Sequence, residues 1–369
     1  MAQKQTGTGT DLDTIRQKID AIDERIQSLI SERAQLAQQV GLSKSGAGEL
    51  AGFYRPEREA DVLRRVRARN AGPLRDEEIL RLFREIMSAC LAQQEPLKIG
   101  FLGPEGTFTQ SAVYKHFGHS VRALPFHTID EVFQEVESGA AEFGVVPIEN
   151  STEGSVNNTL DMFLTSPLKI GGEIELRIEQ HLLGREKGLE RIERICAHEQ
   201  SLAQCRAWLR ENLPHVELIG MSSNAAGARR ARDEAGTAAI GPRAAADVYD
   251  LEILVNNVED RPDNATRFLV VGRELLAPSG SDKTTILVSA TGTAEGSGVL
   301  YHLLKPLADH AVSMTRIESR PSRRRNWEYV FFIDLEGHAA EAPLTQALAE
   351  LESRSSLFKV LGAYPKAIA

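Results

Sequence analysis

The sequence predicts a chain of three domains: an all-α section, a two-lobed α/β section and a small α+β section. Three observations give this division. Apolar residues recur at helical spacing through roughly the first ninety residues, strand and helix patterns then alternate, and a β-α-β-β-α-β pattern follows a polar linker. The length of 369 residues also exceeds what one ordinary hydrophobic core accommodates.

The first section is predicted to contain three helices. Apolar residues at spacings of three, four and seven run from Leu12 to Val40, which predicts one long amphipathic helix. Further helices are predicted at 57–69 and 76–94, separated by the breaker cluster at 70–73. Three such helices cannot bury a long apolar stripe alone, and dimerisation would cover it. This domain is placed at 11–95, after a polar segment at 1–10 that we expect to be disordered.

The cations of the long helix suggest a site for a small dianion. Arg16 and Arg33 are roughly 25 Å and about 100° apart on a straight helix, so one protomer cannot bring both to one small molecule. Arg33 and Lys44 lie within about 20° of one face and on the order of 16 Å apart along the axis. A site that uses all three needs Arg16 from a second chain. Solvated charges on a helix face are the alternative interpretation.

The middle section, placed at 97–275, alternates strands with helices, which predicts a largely parallel sheet arrangement in two lobes with a ligand cleft between them. An apolar run at 143–148 ends on Glu149 and Asn150, as expected where a buried strand delivers polar groups to a cleft. A glycine-rich turn at 103–109 follows a predicted strand and opens a helix, whose N-terminus could face an anion. The other predicted strands are 98–102, 121–126, 173–183, 192–197, 216–221, 238–241, 253–254 and 266–271, with helices at 201–211 and from 224.

The C-terminal section follows a linker at 276–282 and is placed at 283–366. Its predicted order of elements is that of a ferredoxin-like module. The predicted strands are 284–290, 312–318, 327–335 and 358–362, and the predicted helices are 298–309 and 342–352.

The helical section resembles the chorismate mutase domain, whose sites are shared by an intertwined dimer. The resemblance implies that Lys44 and Gln94 donate to the ether oxygen that breaks in a pericyclic rearrangement, where preorganised donors stabilise developing charge. Cys90 stands where some relatives have serine, and Arg55 where some have aspartate. The substrate-binding positions implied by the resemblance are Arg16 of a partner chain, Arg33, Lys44, Arg58, Glu59, Cys90 and Gln94.

The middle section resembles prephenate dehydratase over its whole length, and this implies a two-lobed fold like that of periplasmic binding proteins. The matching stretches are Gly103-Pro104-Glu105-Gly106-Thr107-Phe108, Pro147-Ile148-Glu149-Asn150, His198 with Gln204, Ser222-Ser223-Asn224-Ala225-Ala226 and Thr266-Arg267-Phe268. The substrate-binding positions implied by the resemblance are Thr107, Glu149, Asn150, Gln204, Ser222, Thr266, Arg267 and Phe268.

The chemistry of the dehydratase leaves several roles open in the sequence. Thr266 is assigned as the hydroxyl nearest the leaving group, but threonine is too weak an acid to protonate hydroxide outright, so it relays a proton or orients the substrate; Glu149 is the other candidate acid. Arg267 is either a carboxylate anchor or a structural ion-pair partner of Glu149. Asn150 and Gln204 are interpreted as substrate contacts, with capping as the alternative.

The C-terminal section resembles the ACT regulatory domain that binds phenylalanine. Such domains pair, so the effector would lie between two chains; a pure dimerisation module is the alternative. The effector-binding positions implied by the resemblance are Gly298, Val299, Leu300, Glu318, Ser319 and Arg320.

Composition and residue spacing exclude several classes of protein and of site. A net charge of -9 argues against a general nucleic-acid binder, and no apolar run approaches membrane-spanning length. Cys90, Cys196 and Cys205 are too few and too scattered for a disulfide framework, which favours a reducing, cytoplasmic location. Cys196, His198 and Cys205 lack paired metal-ligand spacing, as do His116 and His119, and we expect neither a metal nor a cofactor.

Taken together, the three resemblances imply a bifunctional enzyme that converts chorismate to prephenate and prephenate to phenylpyruvate, is inhibited by phenylalanine, and forms a homodimer or higher homo-oligomer. Two alternatives remain. One is a dehydratase whose helical domain serves only for dimerisation or regulation, and the other is a two-lobed binding protein for a small acid.

Overall fold

The computed structural model describes residues 9–46, 54–93, 95–186, 188–290, 298–322 and 328–368, with the side chains of 9–11, 41–46 and 290 excepted. The predicted disorder at 1–10 lies outside these ranges for residues 1–8, and residues 9 and 10 are helical. None of the described helices is long and apolar enough to cross a membrane.

The first section forms three helices, as predicted. The second and third pack through Leu63, Val66 and Leu80, because amphipathic helices must bury their apolar faces against each other. The first helix contacts the third but leaves its apolar stripe about half exposed in the single chain, as at Ile19 and Ile22. The helices are α1 (Gly9–Gly46), α2 (Pro56–Arg69) and α3 (Asp76–Ala92).

The first α/β lobe is a six-stranded sheet in the order β2-β1-β3-β11-β5, with a short strand, β4, paired to β3. Helix α4 covers one face, while α5 and α6 pack on the other. The elements are β1 (Lys98–Leu102), α4 (Phe108–Phe117), β2 (Arg122–Phe126), α5 (Ile129–Ser138), β3 (Phe143–Asn150), β4 (Gly154–Ser155), α6 (Asn157–Thr165), β5 (Lys169–Arg177) and β11 (Ala265–Gly272).

The second lobe is a five-stranded sheet in the order β10-β6-β9-β7-β8. A short 3-10 turn spans Leu189–Arg191. The elements are β6 (His181–Gly184), β7 (Arg194–His198), α7 (Glu199–Gln204), α8 (Arg206–Asn212), β8 (Glu217–Met221), α9 (Asn224–Asp233), β9 (Thr237–Gly241), α10 (Arg243–Tyr249) and β10 (Glu252–Val255).

Three expectations for these lobes were wrong in detail. The predicted strand at 173–183 is two strands in different sheets, because the chain crosses between lobes at 178–180. The predicted helix at 201–211 breaks at Cys205 into α7 and α8. The sheets are mixed rather than largely parallel: β11 returns from the second lobe and lies antiparallel to both β3 and β5.

The C-terminal section has the predicted β-α-β-β-α-β order, with a four-stranded antiparallel sheet ordered β13-β14-β12-β15. Its two helices cover one face of the sheet, and the other face packs on the first lobe through Phe332, Leu361 and Tyr364. Beyond the last strand, Ile368 packs against the core of α2 and α3. The elements are β12 (Asp282–Ala290), α11 (Val299–Asp309), β13 (Met314–Pro321), β14 (Tyr329–Glu336), α12 (Leu344–Ser353) and β15 (Ser355–Pro365).

Candidate active site

Thr266 and Asn150 lie opposite each other on β11 and β3, at the end of these strands that is nearest the second lobe. The Asn150 Nδ2 donates to the Thr266 Oγ1 at 2.8 Å. The Asn150 Oδ1 accepts from the backbone N–H groups of Thr152 and Glu153 at 3.0 and 3.1 Å. Asn150 therefore caps the following turn, as the alternative interpretation expects, and also contacts Thr266.

The turn before α4 brings the two lobes together. The Thr107 Oγ1 accepts from the backbone N–H of Gln110 at 3.4 Å and so caps the helix. Gly106 has a φ of +78°, and an added Cβ would lie 3.1 Å from the Ala245 Cα in the second lobe. The Tyr249 hydroxyl also donates to the carbonyl of Glu105 at 3.2 Å. The lobes thus touch at this rim of the cleft, where glycine permits the close approach.

In the second lobe, candidate residues collect near the carboxyl ends of β7 and β8, as the position of a cleft in an α/β sheet predicts. The Gln204 Oε1 accepts from the Gln180 Nε2 at 3.2 Å. Ser222 is exposed just after β8. The His198 Nδ1 accepts from the backbone N–H of Gln200 and caps α7, and its own backbone N–H donates to the Asn224 Oδ1 at 2.9 Å.

Glu149 and Arg267 line a different space, a cavity of about 350 Å³ between the first lobe and the C-terminal section. Arg267 lies opposite Glu149 on the strand pair, yet it pairs with Glu173 at 2.8 Å and Asp334 at 2.5 Å. Glu149 is held instead by the Arg316 Nε at 2.8 Å. The Arg267–Glu149 ion pair, one of the two interpretations of Arg267, is therefore wrong: each of the two side chains pairs with a charge of the C-terminal section instead.

Phe268, the last member of the matched triplet, is 2% exposed and belongs to the apolar core beneath α4. Alternation along β11 places Arg267 on the face opposite to Thr266 and Phe268, since successive side chains point to opposite faces of a sheet.

In the helical section, Glu59 lies beside Tyr54, Arg84 and Arg33. Burial raises the pKa of Glu59 to about 7, against the opposing effect of the two arginines and the Tyr54 hydrogen bond. Arg58 and Arg16 are exposed, the latter paired with Asp13 at 3.4 Å, and Cys90 is buried. Lys44 lies within α1, but its side chain and the whole of Gln94 fall outside the described residues.

All three sections of the chain match known proteins. Family models match chorismate mutase type II at residues 15–95, prephenate dehydratase at 99–275 and the ACT domain at 295–353. The chain is 52% identical over 361 residues to a "Bifunctional chorismate mutase/prephenate dehydratase" of Pseudomonas aeruginosa, covering 97% of this chain and 98% of that protein.

The chain belongs to the bifunctional chorismate mutase/prephenate dehydratase family.

Two solved structures resemble the dehydratase and ACT part. Prephenate dehydratase from Arthrobacter aurescens, in complex with L-Phe, has a TM-score of 0.67 and 36% identity, over 73% of this chain and 90% of that one. A protein described as "a novel type of quorum quenching acylases" has a TM-score of 0.67 and 31% identity, over 73% of this chain and 98% of that one. Because the same fold carries another named activity, the assignment rests on the full-length relatives and not on the fold alone.

In the ACT domain, three of the positions that the sequence suggested for an effector lie on strand β13, with side chains on both of its sides. Glu318 accepts from the Ser155 hydroxyl at 2.7 Å and Arg320 pairs with Asp161 at 2.8 Å, so both face the dehydratase domain. Ser319 is exposed on the opposite side of the strand. The remaining positions lie at the start of α11: Gly298 with a φ of +92°, Val299, and Leu300, which is 40% exposed.

The weaker sequence signals have structural explanations. His116 is partly buried, and desolvation together with Arg84 lowers its pKa to about 3, while His119 pairs with Glu85 at 2.7 Å. All three cysteines are buried, and burial raises the pKa of Cys196 and Cys205. Across the described ranges, no group of three potential metal ligands comes together.

Sequence reasoning missed several residues that the structure places beside candidate site residues. Asn264 and Gln180 are buried in the two segments that cross between lobes, Arg316 holds Glu149, and Arg84 lies beside Glu59. The position of Asn264, two residues before Thr266, was the available signal. No local pattern pointed to Arg316, which lies more than 160 residues from Glu149.

Proposed function

We propose that the dehydratase reaction takes place between the lobes at Thr266, and that the mutase reaction takes place in the helical domain. The observation that carries the first assignment is the Asn150–Thr266 hydrogen bond of 2.8 Å at the edge of the cleft, in a domain of the prephenate dehydratase family. Both reactions concern small anionic substrates, and neither needs a cofactor.

In the proposed dehydratase reaction, the bond from the prephenate ring to its carboxylate breaks and releases CO2. The electron pair enters the new aromatic ring, and the ring hydroxyl leaves as hydroxide, which takes up a proton to become water. The Thr266 hydroxyl would donate a hydrogen bond to the departing oxygen, while Thr107, Gln204 and Ser222 hold the substrate.

Glu149 and Arg267 contribute differently in this proposal. Their side chains meet charges of the ACT domain, and Arg267 is surrounded by Glu173, Asp334 and Tyr364. A guanidinium that already has two carboxylate partners is poorly suited to bind a third. We therefore favour Thr266 over Glu149 as the group nearest the leaving hydroxyl, and a structural role for Arg267.

The mutase site is proposed to form between two copies of the chain. Arg33 continues the three–four spacing of the apolar stripe, lying four residues after Leu29 and three before Leu36, so a partner helix that covers the stripe also covers Arg33. Arg16 of the partner subunit, with Arg33 and Arg58, would bind the two carboxylates of chorismate, and Lys44 and Gln94 the ether oxygen. Glu59 and Cys90 complete the proposed set.

The proposal also includes the domain bounds, the assembly and the site of the effector. We place the domains at 11–95, 97–275 and 283–366, joined by a linker at 276–282, in a cytoplasmic homodimer or higher homo-oligomer. Phenylalanine would bind between ACT domains at the α11 and β13 positions described above. The solved relative in complex with L-Phe supports this ligand.

The test is to supply purified protein with chorismate alone and follow prephenate and phenylpyruvate with and without phenylalanine. Formation of phenylpyruvate that phenylalanine suppresses is expected. Prephenate that accumulates without phenylpyruvate would contradict the cleft assignment. Chorismate that stays unchanged, while added prephenate is consumed, would identify the helical domain as a dimerisation or regulatory module.

A further inference from the structure

Asn264 occupies an unusual position in the dehydratase domain. It ends the second segment that crosses between lobes, and its carbonyl accepts from the backbone N–H of Ile178 in the first crossing at 2.8 Å. Its side chain is buried, with the residue only 3% exposed. The residue therefore lies where both connections of the cleft meet, two positions before Thr266.

The Asn264 Oδ1 accepts from three side chains of the turn that follows β3. These are the Asn150 Nδ2 at 3.0 Å, the Ser151 hydroxyl at 3.2 Å and the Thr152 hydroxyl at 3.4 Å. The orientation of both amides is fixed by this arrangement. The Asn150 Oδ1 must face the two backbone N–H groups it accepts from, so its Nδ2 must face an oxygen of Asn264.

This orientation leaves the Asn264 Nδ2 buried without a hydrogen-bond partner among the described residues. Burying a donor without a partner is unfavourable, so the three hydrogen bonds that the Oδ1 accepts determine the orientation. By accepting from the Asn150 Nδ2, the Asn264 Oδ1 keeps the Asn150 amide directed at Thr266. The Asn150 Nδ2 donates to the Thr266 Oγ1 as well as to Asn264.

The consequence concerns the single proton of the Thr266 hydroxyl. Because Thr266 accepts from Asn150, it cannot donate to Asn150. No hydrogen bond donated by the Thr266 hydroxyl is found within the described part of the chain. Its proton is therefore free to point at a ligand, as the departing hydroxide of the dehydratase reaction requires.

The first crossing contains a matching arrangement. Gln180, which is 1% exposed, donates through its Nε2 to the Gln204 Oε1 at 3.2 Å and to the Ser201 hydroxyl at 3.0 Å, while its own Oε1 is buried without a partner. Each crossing segment thus contributes one buried amide that orients a candidate site residue.

We propose that Asn264 is a positioning residue of the dehydratase reaction, which acts through Asn150 to reserve the Thr266 proton for the leaving hydroxyl. The inference rests on the proposed role of Thr266. It assigns the acceptor oxygen of Asn264, and not its amide nitrogen, as the atom that matters.

Three variants test this, assayed with prephenate in the full-length protein. Asn264→Ala removes the acceptor, and we expect kcat to fall at least about 30-fold with KM changed less than about threefold, because the reacting groups lose their alignment. Asn264→Asp keeps an acceptor for the same three donors, and we expect it to restore kcat to within about fivefold of the wild type. Asn212→Ala removes an exposed amide of α8 as a matched control.

Mutase activity and thermal midpoints of each variant report folding separately. Equal loss of kcat in the Ala and Asp variants would assign the effect to the Nδ2 and overturn the proposal, as would an unchanged kcat in Asn264→Ala. Loss of mutase activity together with dehydratase activity would show that Asn264 is only structural. A wild-type protein that does not consume prephenate would refute the proposed function itself, which is a different outcome from either.

Discussion

Glu59 shows how one residue combines chemistry and domain contact. It lies on α2 beside Arg84 and Arg33, and its hydrogen-bond partner Tyr54 also lies 3.4 Å from the His116 ring in the dehydratase domain. Burial penalises the charged carboxylate more than the arginines favour it, which is why the pKa rises to about 7. The same residue is a proposed substrate contact of the mutase, so its protonation would bear on both the domain contact and the proposed site.

The raised pKa predicts a pH-dependent contribution to stability. The folded state binds more protons than the unfolded state between pH 4.5 and about 7, so Glu59 lowers the free energy of unfolding as pH rises through that window. Glu59→Gln should therefore gain thermal midpoint over the wild type at pH 8. We expect this gain to be a few degrees larger at pH 8 than at pH 5. Scanning fluorimetry at both pH values measures this, and an equal shift at the two values would contradict it.

Helix α1 exposes an apolar face along much of its length in the single chain. Its 38 residues span roughly 57 Å, and its apolar side chains at 12, 15, 19, 22, 26 and 29 are between 45% and 61% exposed in the single chain. A continuous exposed apolar stripe of this kind marks an interaction surface. A second copy of the chain that packs along it would bury the stripe and bring in the second set of cations.

This arrangement predicts that assembly and mutase activity fail together. Ile22→Glu places a charge in the centre of the stripe, and we expect the dimer to dissociate and mutase turnover to fall at least about 100-fold, because Arg16 of the partner subunit is lost. Glu24→Gln, two residues along the same helix, is the control. Light scattering and the two enzyme assays measure the result. A dissociated variant with full mutase activity would refute the shared site.

At the scale of the whole molecule, charged groups connect the three domains. Glu173 of β5 pairs with Arg267 and with Lys283 at the start of the ACT domain, and accepts from the backbone N–H of Ala367. Arg64 of the mutase domain donates to Ser279 in the linker. Separating a buried ion pair leaves charges without partners, which is strongly destabilising. These contacts therefore restrict how the domains move against each other.

Strand β13 is the part of the ACT domain best placed to transmit an effector signal. Three alternate residues, at 316, 318 and 320, contact Glu149, Ser155 and Asp161 of the dehydratase domain, whereas Ser319 faces the other side. A ligand that moves the strand from the Ser319 side would therefore displace Glu149, which directly precedes Asn150.

Asp161→Asn tests this coupling from the dehydratase side, because it weakens the pair with Arg320 without altering the ACT domain. We expect the phenylalanine concentration for half inhibition to rise about fivefold, which corresponds to about 1 kcal/mol of coupling, with uninhibited dehydratase activity within twofold of the wild type. Asp130→Asn on α5 is an exposed control. Unchanged inhibition in Asp161→Asn would show that the Asp161–Arg320 pair does not transmit phenylalanine binding to the dehydratase domain.

Sequence patterns alone predicted the domain order, most of the helices and strands, and the Thr266 and Asn150 stretches. These features depend on local periodicity and turn chemistry, which a few consecutive residues encode. Sequence patterns could not divide residues 173–183 between two sheets, because one apolar run has the same pattern whether it forms one strand or two.

The contacts between distant side chains depend on how the domains pack. Arg267 and Glu149 are neighbours on paired strands, but their partners Asp334 and Arg316 come from a domain that follows a linker. The role of Asn264 was equally hidden, since it depends on a turn more than 110 residues away. Such contacts are set by how sheet faces pack on one another, and that packing leaves no periodic signal in the sequence.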